Sequence, residues 1–167
     1  MLYFAYGSNL DPDQMRERCP GARIVGLAAL HDERVVFPLY SQRWGGGVAS
    51  VQPAHGGMVW GVLHDLDEQD LAALDGHEGF IAPGNQHNLY DREHVTVDLV
   101  RPDDGSIPRR VRAGIYIARP SNPQPPTRRY LDAILRGARH HRLPEEYVAA
   151  LAATPVAEVA GEPTPPS

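Results

Sequence analysis

Tyr3-Phe4-Ala5-Tyr6-Gly7-Ser8-Asn9-Leu10 changes character within eight residues. An aromatic and apolar run breaks into Gly-Ser-Asn, and Asp11-Pro12-Asp13 follows at once as a helix-start signal. Tyr3 to Tyr6 read as a buried strand, Gly7 allows φ > 0 or the close approach of a ligand, and Ser8 and Asn9 offer short hydrogen-bonding side chains. A turn of this kind directs backbone N–H groups outward. Together with the N-terminus of the following helix, those groups make a site for a carboxylate or a developing oxyanion. The alternative is a strand–turn–helix corner in which the same residues satisfy only the geometry of the turn.

Working outward, a helix is predicted over Asp11 to Arg18 and is stopped by Cys19-Pro20-Gly21. Ala22 to Leu30 and Glu33 to Phe37 read as two strands, with Pro38 ending the second. Ser41 to Gly47 is a glycine-rich turn without the Gly-Lys-Ser/Thr of a phosphate loop, and it leads into a strand over Val48 to Gln52. Pro53 to Gly57 forms another turn before Met58 to Leu63, an apolar central strand. Asp67 is placed to cap a helix over Glu68 to Leu74, with Asp75-Gly76 as its exit, so Glu78 falls just past the helix end.

Ile81 to Leu89 reads as a loop, and Tyr90 to Val100 as a strand with alternation at Val95, Val97 and Leu99. Asp103-Asp104-Gly105 makes a hairpin turn into a returning strand, Val111 to Ala118. A stiff Pro-rich connector, Pro120 to Pro126, precedes helices over Thr127 to His140 and Pro144 to Ala153. Successive strands joined by short turns, with a few peripheral helices, define an α+β arrangement built on an antiparallel or mixed barrel rather than a doubly wound sheet. One domain over 1–153 is expected, followed by a Pro-rich, poorly ordered tail over 154–167.

Composition narrows the function classes. The chain has 167 residues and a formal charge of -5, which argues against nucleic acid or an acidic membrane surface as partner. Its densest basic cluster, Arg109, Arg110 and Arg112, reads as a solvated face at a strand start. A single cysteine, Cys19, excludes an internal disulfide framework and suits a reducing compartment. The N-terminus enters a strand with no basic leader, and no segment approaches bilayer-spanning length, so a soluble cytoplasmic protein is expected.

Among residues able to carry chemistry, Glu78 stands out because it lies between His77 and Gly79, where a turn can aim it into a pocket. A solvated surface glutamate is the competing reading. His77-Glu78 does not begin a zinc-binding His-Glu-x-x-His helix, since Ile81 occupies the second histidine position. The eight histidines show no metal-ligand spacing, so no metal is expected. Ser8 lies outside any Gly-x-Ser-x-Gly elbow, and Cys19 has no neighbour that would obviously lower its pKa.

Taken as an ordered set, several stretches resemble the γ-glutamylcyclotransferase family. They are Tyr3 to Leu10, Trp44-Gly45-Gly46 with Val59-Trp60-Gly61-Val62, Leu74-Asp75-Gly76-His77-Glu78-Gly79, and Gly137-Ala138-Arg139 with Leu143-Pro144-Glu145-Glu146-Tyr147. The resemblance implies a small mixed β-barrel with flanking helices and a shared cavity for the Tyr-Gly-Ser-Asn loop and the Glu of Glu-Gly. It carries over here as substrate binding by Tyr3, Phe4, Ala5, Tyr6, Gly7, Ser8 and Asn9, with Glu78 as general acid/base. A further substrate contact falls near Ala118, although Tyr116 anchors that part of the match better. The loop between Gly79 and Tyr90 is longer than in the animal enzymes and borders Glu78.

The implied reaction releases 5-oxoproline from a γ-glutamyl amino acid or amine by attack of the substrate's own α-amine, and it needs no cofactor. Two alternatives stand beside it: removal of a γ-glutamyl protecting group from a biosynthetic small molecule, and a catalytically silent binding module on the same barrel.

Overall fold

The computed structural model describes residues 1–100 and 109–158. Five strands close into a barrel in the order β1-β3-β2-β4-β5: β1 (Leu2–Ala5), β2 (Arg23–Ser41), β3 (Gly46–Asp65), β4 (Tyr90–Val100) and β5 (Arg109–Ala118). Neighbours are antiparallel except for β1 and β5, which meet in parallel at Tyr3 and Gly114, so the barrel is mixed as expected. Closure leaves no free sheet edge at this seam, and Tyr3, Phe4 and Ala5 are all buried. Helices α1 (Pro12–Arg18), α2 (Glu68–Glu78), α3 (Arg128–His140) and α4 (Glu145–Ala152) flank it. Among the described residues no helix is long and apolar enough to cross a membrane. The predicted hairpin turn at Asp103-Asp104-Gly105 and the tail beyond residue 158 lie outside the described residues.

Five expectations are corrected. The two short strands at either side of residue 31 are one strand, β2, and those at either side of Pro53–Gly57 are one strand, β3. Asp32 enters the left-handed region at φ 57, opposite Gly56 at φ 74, and the Asp32 carboxylate accepts the Gly56 N–H at 2.8 Å. The facing irregularities therefore satisfy each other, and the ladder resumes on both sides. Pro38 does not end β2 either. It sits at a register shift, where its missing N–H breaks no regular bond and its carbonyl accepts Ser121 N–H at 2.8 Å.

Helix α2 runs through Asp75-Gly76 to Glu78, so Glu78 is its last residue rather than one beyond it. Gly79 at φ 64 forms the left-handed cap, and Asp75 is tied to the barrel by Tyr116 Oη at 2.6 Å and Arg92 Nη1 at 2.6 Å. These contacts outweigh the roughly 1 kcal/mol that an interior glycine costs a helix. Finally, Gly7 is at φ -105, so it supplies no left-handed turn. Its use is close approach: a Cβ there would lie 3.3 Å from Ala49 Cβ and 3.5 Å from Tyr130 Oη. The N-terminal corner is a 3-10 turn over Ser8–Leu10, followed by α1 with Asp11 accepting Asp13 N–H as its cap.

His64 on β3 carries a stability consequence. It is 3% exposed, faces Tyr3 across the ladder, and neither ring nitrogen has a hydrogen-bond partner among the described residues. Burial, with His141 adding repulsion, pushes its pKa down to about 4 from 6.5. Between those values the unfolded chain binds a proton that the native state refuses, so stability falls as pH drops from 6.5 to about 4 and is unaffected by this group above 6.5. The loss is about 3 kcal/mol. Urea unfolding at pH 7 and pH 4 should show His64→Leu gaining on wild type by that amount at the lower pH. Parallel pH dependence in the two proteins would refute the buried neutral imidazole.

Candidate active site

A cavity of about 450 Å³ opens at one end of the barrel. Its walls come from the β1–α1 corner, the end of α2, the turn between β2 and β3, and phenols contributed by β4, β5 and α3. Glu78 enters from the end of α2 with its side chain 13% exposed. Its Oε1 accepts Asn9 Nδ2 at 2.9 Å and Arg18 Nη1 at 3.3 Å. Asn9 Nδ2 also donates to Tyr3 Oη at 2.8 Å, while Asn9 Oδ1 accepts from Arg18 Nη1 at 2.9 Å and Gln14 Nε2 at 3.1 Å. Gln14 Nε2 donates to Ser8 Oγ as well, at 2.8 Å. A 3-10 turn closed by the Asp11 N–H on Ser8 O thus places Ser8 and Asn9, and the next helix supplies the groups that hold them.

Burial drives the Glu78 carboxyl above its usual range; Arg18 is the largest influence holding it down, followed by the Asn9 hydrogen bond and Arg43. The phenols around it are engaged elsewhere. Tyr6 Oη donates to Tyr116 O at 2.6 Å, Tyr90 Oη to Ala49 O at 2.9 Å, and Tyr130 Oη accepts Ala49 N–H at 2.8 Å. Burial pushes all of their pKa values up, and those of Tyr3 and Tyr116 with them. They are neutral walls rather than bases. Cys19 is buried with its thiol pushed up to about 11 and its Sγ directed at Asp70 O, which fits a packing role.

Of the residues singled out in the sequence, Tyr3, Tyr6, Gly7, Ser8, Asn9 and Glu78 line this cavity together. Phe4, Ala5 and Ala118 do not: Phe4 and Ala5 are fully buried in β1, and Ala118 N–H donates to Ser50 Oγ at 2.9 Å behind the wall. Tyr116, two residues earlier, is the β5 residue that reaches the cavity. Sequence reasoning missed Gln14, Arg18, Arg43, Tyr90 and Tyr130. Gln14 and Arg18 carried a readable signal, an i, i+4 polar pair on a short helix directly after the candidate loop. The others arrive from distant strands, turns and helices and had none.

A closed mixed barrel that holds one buried carboxylate, Glu78, beside a polar turn at the wall of a cavity is the arrangement of a small-molecule pocket. The AIG2-like family model matches residues 58–151. The γ-glutamylcyclotransferase of Homo sapiens is 31% identical over 151 residues, covering 87% of this chain and 74% of that protein, and that of Mus musculus is 30% identical over the same shares. A solved γ-glutamyl cyclotransferase superposes with a TM-score of 0.84 at 28% identity, over 98% of this chain and 93% of the other. The chain belongs to the AIG2-like, γ-glutamylcyclotransferase family.

Proposed function

We propose that residues 1–153 form the catalytic domain of an enzyme that releases 5-oxoproline from a γ-glutamyl amide, with Glu78 carrying protons between the two nitrogens of its substrate. The observation that carries this reading is Glu78 itself: a carboxylate at the cavity wall, raised by burial, with only Oε1 engaged by described residues. The α-ammonium of a γ-glutamyl compound loses a proton to Glu78, and the freed amine attacks the γ-carbonyl to close a five-membered ring. Glu78 returns the proton to the departing nitrogen as the C–N bond breaks. Because the nucleophile belongs to the substrate, orientation supplies much of the rate, with effective molarities of roughly 10⁵ to 10⁸ M in favourable systems.

Backbone N–H groups at the start of the 3-10 turn after Gly7 have no intrahelical partner, and Gly7, Ser8 and Asn9 line the same cavity, which suits the turn to the substrate carboxylate or the developing oxyanion. Arg43, an exposed residue of the β2–β3 turn that lines the cavity, forms no salt bridge with a carboxylate among the described residues and favours a leaving group that bears one, as a γ-glutamyl amino acid does. No step calls for a cofactor.

The test is the product. Incubation of γ-glutamyl-alanine in water enriched in heavy oxygen should yield unlabelled 5-oxoproline and alanine by mass spectrometry, and N-acetylation of the α-amine should abolish turnover. Labelled glutamate would convert the assignment to a hydrolase. In the same assay Gly7→Val is expected to raise KM about tenfold, a loss of roughly 1.4 kcal/mol of binding, because its methyl groups enter space already bounded by Ala49 and Tyr130. An unchanged KM in a folded variant would remove Gly7 from the pocket.

A further inference from the structure

Gln14 and Arg18, one helical turn apart on α1, both aim their donors at Asn9. An amide that meets two N–H donors on one side must turn its carbonyl oxygen there, since its NH₂ accepts nothing. The Asn9 NH₂ therefore points the other way, to Tyr3 and Glu78. Glu78 Oε1 in turn faces two groups that can only donate, Asn9 Nδ2 and Arg18 Nη1. A proton on Oε1 would confront both donors, whereas no donor from the described residues reaches Oε2. The two oxygens are thus chemically distinct before any substrate arrives.

We propose that Gln14 and Arg18 are positioning residues which, by locking the Asn9 amide and Glu78 Oε1, assign proton transfer to Glu78 Oε2. This rests on the reading of Glu78 as acid/base. The substrate α-ammonium gives one proton to Oε2, the amine nitrogen bonds to the γ-carbon, and Oε2 delivers that proton to the leaving nitrogen. The new ring nitrogen then sheds its second excess proton by the same oxygen, and the released amine departs as an ammonium, so the two protons lost by one nitrogen are the two gained by the other. Arg18 stays charged throughout. It is 8% exposed, and its Nε has no hydrogen-bond partner among the described residues, so its charge acts from inside the protein rather than through solvent.

Other groups around Glu78 supply less. Tyr3 from β1, Tyr6 from the β1–α1 corner, Tyr90 from β4 and Tyr130 from α3 are neutral phenols, and Cys19 after α1 is a neutral thiol. Arg43 and His77 sit on the exposed side, where solvent screens them. Arg18 is therefore the charge whose removal Glu78 should feel most.

Two measurements test the assignment. The first is the ¹³C carboxyl titration of Glu78, which needs no turnover: Arg18→Met should move it upward by one pH unit or more, and Arg18→Lys should recover most of the shift. The second is the pH profile of kcat with γ-glutamyl-alanine, whose acidic limb should move by the same amount while KM changes less than threefold. Gln14→Met, which keeps the charge but frees the Asn9 amide, should lower kcat at least threefold with little movement of the limb. An unmoved carboxyl titration in Arg18→Met, or a drop in melting temperature with kcat per folded molecule at the wild-type value, would overturn the proposal. Should Arg18→Met fail to fold, Gln14→Met decides, and wild-type kcat there is equally fatal. Absence of 5-oxoproline from the wild-type enzyme would instead remove the acid/base reading on which the assignment depends.

Discussion

Glu78→Gln is expected to fold like the wild type and to lose roughly 10²- to 10⁴-fold in kcat, the range that general acid–base catalysis contributes. The amide is nearly isosteric, and its carbonyl oxygen can take the place of Oε1 in accepting from Asn9 and Arg18, so the hydrogen bonds at 2.9 and 3.3 Å survive. What changes is the second oxygen, which becomes an NH₂ and can no longer play the proton-accepting part proposed for Oε2. The residual rate should also lose its acidic limb and rise only as the substrate's α-ammonium ionises near pH ~8. Melting temperature, circular dichroism and a pH profile of kcat together check this. Wild-type turnover in the folded variant would exclude Glu78 as the base.

Gly137→Ala is expected to destabilise the protein by about 3 kcal/mol or more, against the usual gain from replacing a helical glycine. A Cβ at Gly137 would lie 2.1 Å from Leu10 C, 2.2 Å from Leu10 O and 2.5 Å from Asp11 N. These are backbone atoms, so no rotamer change relieves the clash; α3 or the β1–α1 corner must move. The corner carries Ser8 and Asn9, and kcat/KM should therefore fall along with stability. Gly76→Ala in α2 is the internal control, because a Cβ there meets nothing within 4 Å and should stabilise by up to about 1 kcal/mol. Urea unfolding of both variants distinguishes them, and equal behaviour would show that the close approach of α3 to Leu10 has no energetic weight.

Much of the site was legible because it is local. Ser8 and Asn9 follow directly on an apolar strand, Asp11 caps the next helix, and Glu78 precedes a glycine that can take the left-handed cap. The strand boundaries at Tyr90 and Val100 also agree with the alternation at Val95, Val97 and Leu99. Errors arose where a local breaker was overruled from a distance. Pro38 and Pro53 looked like strand ends, yet β2 and β3 pair along almost their whole lengths, and the cooperative ladder carries each strand across its proline. Gly76 looked like a helix exit, yet Tyr116 and Arg92 hold Asp75 and the helix continues.

The sequence by itself determined the α+β class, the barrel, the polar corner after β1 and the carboxylate at Glu78, since each depends on hydrophobic period, capping or a motif within about ten residues. Only the tertiary structure decided that Asn9 turns its amide toward Glu78 and that Arg18 is buried against the same oxygen. It alone also excluded Phe4, Ala5 and Ala118 from the cavity wall while admitting Tyr90, Tyr116 and Tyr130. Those outcomes depend on which side chains a closed barrel brings into hydrogen-bond reach, as Arg18 and Glu78 are at 3.3 Å across 60 residues, and on which of two chemically equivalent oxygens meets a donor. Neither quantity has a period or a spacing along the chain.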